Sequence, residues 1–416
     1  MKRLPILSLL SVVLLAGAVS AAEPSLLSKA GPEEKQLYAQ AKPLILAEAA
    51  KPPLILKDSV ESYFWVMSAR LAPLVRAHGY SKEPELLEAF VPLMKQVLSQ
   101  RYIHPSKPEW SGWFHYKDRF GDAMIDHDTI LYFVPVLRFV REVRADASLR
   151  SRYGELAEKW LKDVQASIRA WDRRGCWHEL GDKGGWYSNP THYPDPNTGE
   201  LVRRTDIFAG GVIPYNKVHA FCEALSLAYR ITGDEWYVQR MAKCAKRFRG
   251  NWRVDDKHAE WNYRDHAFAG DYVSGVVGQG KTRTGAFVHV KGGYYALDVE
   301  GVVWCYDVGA FYQRADIEKL IQTNLKFMWM GDEKDPKFRK INGTYKAEGK
   351  YNKGYLWTAL AHFSPEVRRL WKTQLETQRK ARRWMWWAST LDYLVETSQP
   401  VSWEPRYVKK APAPPS

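Results

Sequence analysis

The feature that most constrains this chain is a pair of apolar-faced helical stretches, one running from the Ile213-Pro214-Tyr215-Asn216 opening to Ile231 and one from Glu235 to Phe248. Only Thr232-Gly233-Asp234 separates them. A connection this short forces two helices into an antiparallel hairpin. The same helical spacing of apolar residues recurs over 33–49, 57–78, 83–102, 126–145, 149–172, 298–312, 317–329, 354–362, 364–378 and 382–396, with Gly79 as a stop signal for the second run. Between the pairs lie long loops rich in aromatics, glycine and proline, above all 103–116 and 173–211. A structureless stretch of that length inside a compact chain usually carries function. No β-branched strand pair with a parallel crossover is evident. About twelve helices in hairpins, tight on one side and long-looped on the other, predict an all-α fold, an α/α toroid forming an incomplete barrel of six or seven hairpins. A solenoid would need a regular short repeat, which is absent.

The two ends read differently from the middle. Met1-Lys2-Arg3, the apolar run from Leu4 to Val19 and Ser20-Ala21-Ala22 have the pattern of a secretory leader over 1–22, which predicts a secreted or periplasmic protein. No later stretch is apolar for the ~20 residues that a membrane-spanning helix needs. Residues 23–400 form the expected helical domain, and 401–416, rich in Pro and Lys, the expected disordered tail. Cys176, Cys222, Cys244 and Cys305 lack metal-like spacing and suit core positions.

The formal charge is +14, or +12 once Lys2 and Arg3 leave with the leader. A basic exported protein suits an acidic partner. Nucleic acid is disfavoured, because the charge is dispersed and no DNA-binding motif is present. Acidic polysaccharide fits better, since 18 Trp and 23 Tyr offer flat faces to sugar rings while Lys and Arg meet carboxylates.

The richest chemistry lies from Arg283 to Asp298, where His289, Lys291, Tyr294 and Tyr295 crowd a glycine-containing loop that enters an apolar helix. Phenol, imidazole, guanidinium and ammonium are the groups needed to remove a proton beside a carboxylate while masking its charge. Tyr294 and Tyr295 diverge as neighbours, so only one faces a cleft, and Tyr294 is favoured because Tyr295 lies nearer the apolar run. Both are packing residues on the bland reading. His289 is a site group or a structural hydrogen-bonder. Asn216 and His219, three residues apart, share a face of a first helical turn and project together, unless Asn216 is the cap. Trp261, Asn262, Tyr263, Arg264 and His266 alternate in a loop, and one set of them faces substrate if that loop is extended; Arg264 is alternatively surface charge paired with Asp265 or Asp271. Asp298 reads as the cap of the following helix. His115, His127, Asp122, Asp126 and Asp128 form an acidic cluster without recognised ligand spacing, so no metal and no cofactor are expected.

Trp261-Asn262-Tyr263 followed by His289-Val-Lys-Gly-Gly-Tyr294-Tyr295-Ala-Leu-Asp298-Val-Glu300 resembles bacterial exported polysaccharide lyases with α/α toroid folds, such as alginate and glucuronan lyases, nearest to polysaccharide lyase family 38. The hairpin that begins Pro214-Tyr215-Asn216 and contains His219 is similar to theirs as well. The resemblance covers about residues 120–330. It implies β-elimination on a uronate polymer without redox or nucleotide cofactor, with Tyr294, Tyr295, His289, His219 and Asn216 as catalytic candidates. Trp261, Asn262, Tyr263, Arg264, His266, Arg283 and Lys291 are then substrate-binding candidates. Two alternatives stand beside it. A glycoside hydrolase on the same fold would use two carboxylates among Asp206, Asp255, Glu260 and Asp265. A non-catalytic glycan-binding protein would use the aromatic loops as a grip alone.

Overall fold

The computed structural model describes residues 24–52, 54–56, 60–113, 125–195, 197–204, 209–264, 288–289, 291–346, 353–381 and 386–408. The proposed leader, His115, Asp122, Asp206, Asp265, His266, Arg283 and residues 409–416 lie outside them.

The chain is mostly helical, an all-α fold. The helices are α1 (Leu26–Lys29), α2 (Pro32–Ala49), α3 (Val60–Ser81), α4 (Pro84–Ser99), α5 (Ile125–Asp128), α6 (Val134–Ala145), α7 (Ala147–Arg173), α8 (Tyr215–Thr232), α9 (Glu235–Arg249), α10 (Gly293–Asp307), α11 (Arg314–Gln322), α12 (Pro365–Lys380) and α13 (Trp386–Thr397). Single π turns continue α5 into α6 and extend α11, and a 3-10 helix spans Thr358–His362. The strands are short and antiparallel: β1 (Trp177–Glu179) with β2 (Gly185–Tyr187), β3 (His192–Pro194) with β4 (Leu201–Arg203), and β5 (Arg253–Val254) with β6 (Ala259–Glu260).

The short turns have local causes. Gly233 ends α8 at φ 73°, donating its N–H to Tyr229 O at 2.7 Å, and Asp234 at once caps α9 by accepting from Trp236 N at 3.0 Å. Asp146 alone links α6 to α7 and caps the latter through Leu149 N. Gly79 does not stop α3, contrary to expectation. The helix runs on to Ser81 and ends at Lys82, which takes the left-handed φ of 63°.

Packing forms a closed circuit. α3 lies on α6, α6 on α8, α8 on α10, α10 on the 358–362 helix, that helix on α13, and α13 back on α3. Further pairs attach to these helices: α4 packs on α3, α7 on α6, α9 on α8, α12 on α13, and α2 on both α13 and α3. The long connections, 174–214 and 250–292, precede α8 and α10, and their described parts meet where Tyr215 N, at the start of α8, donates to Tyr263 O.

Residues 401–408, expected in a disordered tail, are instead folded onto the end of α10. Arg406 donates from Nε to Asp307 Oδ2 at 2.7 Å and from NH1 to Glu396 at 3.0 Å, Tyr407 N reaches Asp307 O at 2.8 Å, and Tyr306 donates to Trp403 O at 2.6 Å. A buried carboxylate needs such a partner, and this one recruits the segment after α13.

Charged side chains also meet inside the circuit, where a cavity of about 130 Å³ is lined by Arg76, Arg138, Glu300, Asp392, Glu396 and Arg406 among others. Burial, aided by the nearby Glu223, pushes the Glu300 carboxyl up to about 8, against the pull of Arg76. The folded chain therefore holds this proton more tightly than the unfolded one. The resulting stabilisation is complete below about pH 4.5 and fades as pH rises through 8. Glu300→Gln should melt with the wild type at pH 5 and about 2 °C or more above it at pH 9, as checked by calorimetric scans at the two pH values.

Candidate active site

The site is organised by one carboxylate. Asp298 does not cap α10, because the helix begins five residues earlier at Gly293 and places Asp298 in its interior. There Asp298 is 1% exposed, and it faces His219 Nδ1 at 3.0 Å through one oxygen and accepts from Trp261 Nε1 at 2.7 Å through the other. Burial raises its pKa above the usual carboxylate range, while the bonds from His219 and Trp261 oppose that shift. Three separate segments, α8, α10 and the loop at 261, are thereby pinned together. Gly301 makes the approach possible, since a methyl group built there would stand 2.3 Å from His219 Cβ.

Fixing α10 settles the tyrosine pair. Tyr295 is 1% exposed, its ring faces Trp261 at 5.9 Å, and its oxygen accepts the His289 backbone N–H at 2.9 Å. Tyr294, about 100° further round the same helix, is only partly buried. It stacks on Tyr263 at 5.4 Å and lies 4.7 Å from the His289 ring, and Lys291 Nζ donates to its hydroxyl at 3.3 Å. The Tyr263 carbonyl in turn accepts from Tyr215 N at 3.1 Å, which ties this cluster to the start of α8. The Arg264 guanidinium is buried 5.6 Å from the Tyr263 ring centre.

His289 Nδ1 accepts the Lys291 backbone N–H at 2.9 Å, so the neutral ring carries its proton on Nε2. Burial first, then the charges of Lys291, Arg264 and Lys340, push its pKa down to about 4. At neutral pH His289 is accordingly an uncharged donor. With so low a pKa it holds a proton only weakly and is a poor base.

The remaining expected residues separate into two groups. His219 and Trp261 are fully enclosed and sit in the core, where Trp261 also stacks on Trp252 at 5.4 Å. Asn216, in the first turn of α8, forms no cap bond, and its Oδ1 is buried without a hydrogen-bond partner among the described residues. Asn262 accepts from Arg253 at 3.4 Å at a more open position. Sequence reasoning missed the pairing of Lys217 with Asp126 at 2.7 Å, which joins α8 to α5. Ninety-one residues separate the two, and no local pattern links them. Among the described residues no group of three or more His, Cys, Asp or Glu side chains could hold a metal ion.

Of the carboxylates considered for hydrolysis, Asp255 caps a turn through Lys257 N and His258 N, and Glu260 pairs with Arg253 at 2.9 Å. Both are occupied by local structure. All four cysteines are buried and free. No helix among the described residues is long and apolar enough to cross a membrane. No model of a known protein family matches the chain, and no curated protein is significantly similar to it.

Two outcomes follow from this geometry. Lys291→Met removes the largest like charge acting on His289, so its pKa, followed by NMR titration of the ring, should move upward from about 4. Gly301→Ala should destabilise the protein by about 1–3 kcal/mol in denaturant melts, by forcing His219 off Asp298.

Proposed function

We propose that this chain is an exported polysaccharide lyase built on an α/α toroid, cleaving a uronic-acid-containing polysaccharide by β-elimination. The observation that carries the reading is the division of the tyrosine pair. Tyr295 is committed to the core, while Tyr294 stays open among Lys291, His289 and Tyr263.

The C5 proton of a uronate is hard to remove because the adjacent carboxylate already carries charge. Tyr294, as phenolate, takes that proton. The C5–H electrons form the C4–C5 double bond, the C4–O4 bond breaks, and the proton passes from the phenol to O4, which regenerates the phenolate. The Lys291 ammonium, 3.3 Å from the phenolic oxygen, supplies the counter-charge. Arg264, the Nε2–H of His289 and the Asn216 amide neutralise the uronate carboxylate, aimed at the charge that grows on it as the proton leaves. His289 suits this role because it stays neutral at working pH and donates without competing for the proton.

The closed circuit α3, α6, α8, α10, the 358–362 helix and α13, with further helices packed on its members, supports the toroid. The candidate residues lie at the starting ends of α8 and α10, each preceded by a long connection. The net positive charge favours an acidic polymer. Export is part of the reading, on the basic and apolar pattern of the first residues.

Incubation with alginate, glucuronan and glycosaminoglycans, following the ultraviolet absorbance of the unsaturated product, tests it. Tyr294→Phe should lower the rate by about 10²–10⁴-fold, whereas Tyr295→Phe should keep most of it. No absorbance with any of these polymers, or a Tyr294→Phe variant at full rate, would refute the proposal.

A further inference from the structure

A second cavity, of about 560 Å³, lies between α3, the π turn leading into α6, α8 and α13 and takes no part in the chemistry above. Ala69, Ala72, Val134 and Leu391 make its wall apolar, and Trp65 stands at its edge with 46% of its surface exposed. An indole left open beside a cavity is a ready face for an apolar ring surface.

The cavity is charged at one place and balanced there. Arg76 pairs closely with Asp392 and lies 3.8 Å from Glu223, which Arg138 also holds at 2.6 Å. Two guanidinium groups thus meet two carboxylates, and the formal charges cancel. Asp392 keeps 37% of its side chain exposed and Arg76 28%, so a donor and an acceptor stand open next to each other.

We propose that this cavity is a binding subsite for an uncharged pyranose unit, separate from the cluster around Tyr294. A pyranose has a C–H face to lay on Trp65 and neighbouring hydroxyls that accept from Arg76 while donating to Asp392. The volume falls in the ~300–1,000 Å³ range of small-molecule sites. A uronate or other anion would meet Asp392 and Glu223, and a purely aliphatic ligand would bury the open carboxylate without offering it a donor. The inference rests on the cavity and its charges and not on the lyase reading.

Saturation-transfer NMR on the full chain tests it with methyl β-glucopyranoside, methyl α-mannopyranoside and methyl α-rhamnopyranoside, and with glucuronate as the charged probe. At least one neutral glycoside should receive saturation. Trp65→Ala, a change at an exposed position, should weaken its binding about tenfold, and Ala69→Phe, which fills the cavity, should abolish it. Glucuronate should give no signal that Trp65→Ala removes. The proposal is overturned if no neutral glycoside binds, if Trp65→Ala leaves the affinity unchanged, or if glucuronate binds and is lost in the same variant. Should Ala69→Phe fail to fold, Trp65→Ala decides alone. Because the readout is binding, a missing lyase activity would not affect the result.

Discussion

The arrangement described here depends on the buried Asp298 carboxylate. Alone in the core such a group would be costly, and it is tolerated because His219 and Trp261 meet both of its oxygens. Those partners come from α8 and from the loop before α10, so satisfying one charge sets the relation of three segments. Its consequence is the rotation of α10, which sends Tyr295 inward to hold the backbone of His289 and leaves Tyr294 outward beside Lys291. Core packing and candidate chemistry share one helix. Gly301 is the steric condition for both.

A second constraint concerns the middle of the helical circuit. Helices brought side by side there leave an interior that this chain fills partly with charge, pairing Arg76, Arg138 and Arg406 with Glu223, Asp392, Glu396 and Asp307. Glu300 has no ion pair of its own there, and burial beside Glu223 outweighs the pull of Arg76, so it keeps its proton into the neutral range. The segment after α13 takes part by bringing Arg406 to Asp307. What looks like a tail in sequence thus closes the end of α10 opposite to the candidate site.

How much of this was readable in the chain depends on how local the cause is. The Thr232-Gly233-Asp234 turn was readable because its glycine and aspartate act on adjacent residues, and most helices follow from apolar spacing alone. The start of α10 was not. Gly292 and Gly293 look like loop residues, yet Gly292 opens the helix where its backbone passes Lys353, so closely that a methyl group would stand 2.3 Å from that carbonyl. Asp298 was misplaced for the same reason, since its partners lie 79 and 37 residues away. The divergence of Tyr294 and Tyr295 was visible as neighbours on a helix, but His219 and Trp261 gave no sign that both would be enclosed. The Arg76–Asp392 pair, 316 residues apart, could not have been found without the fold.

The Asp298 latch and the chemical role proposed for Tyr294 meet on α10, and one structure tests that junction most directly. A crystal structure of the Tyr294→Phe protein soaked with a uronate oligosaccharide should show one uronate with its carboxylate within hydrogen-bond reach of Arg264 and His289 Nε2, and its C5 hydrogen facing the ring at position 294. The His219–Asp298–Trp261 contacts should be unchanged. An oligosaccharide bound with its carboxylates away from Arg264 and His289, or with C5 turned from residue 294, would contradict the account.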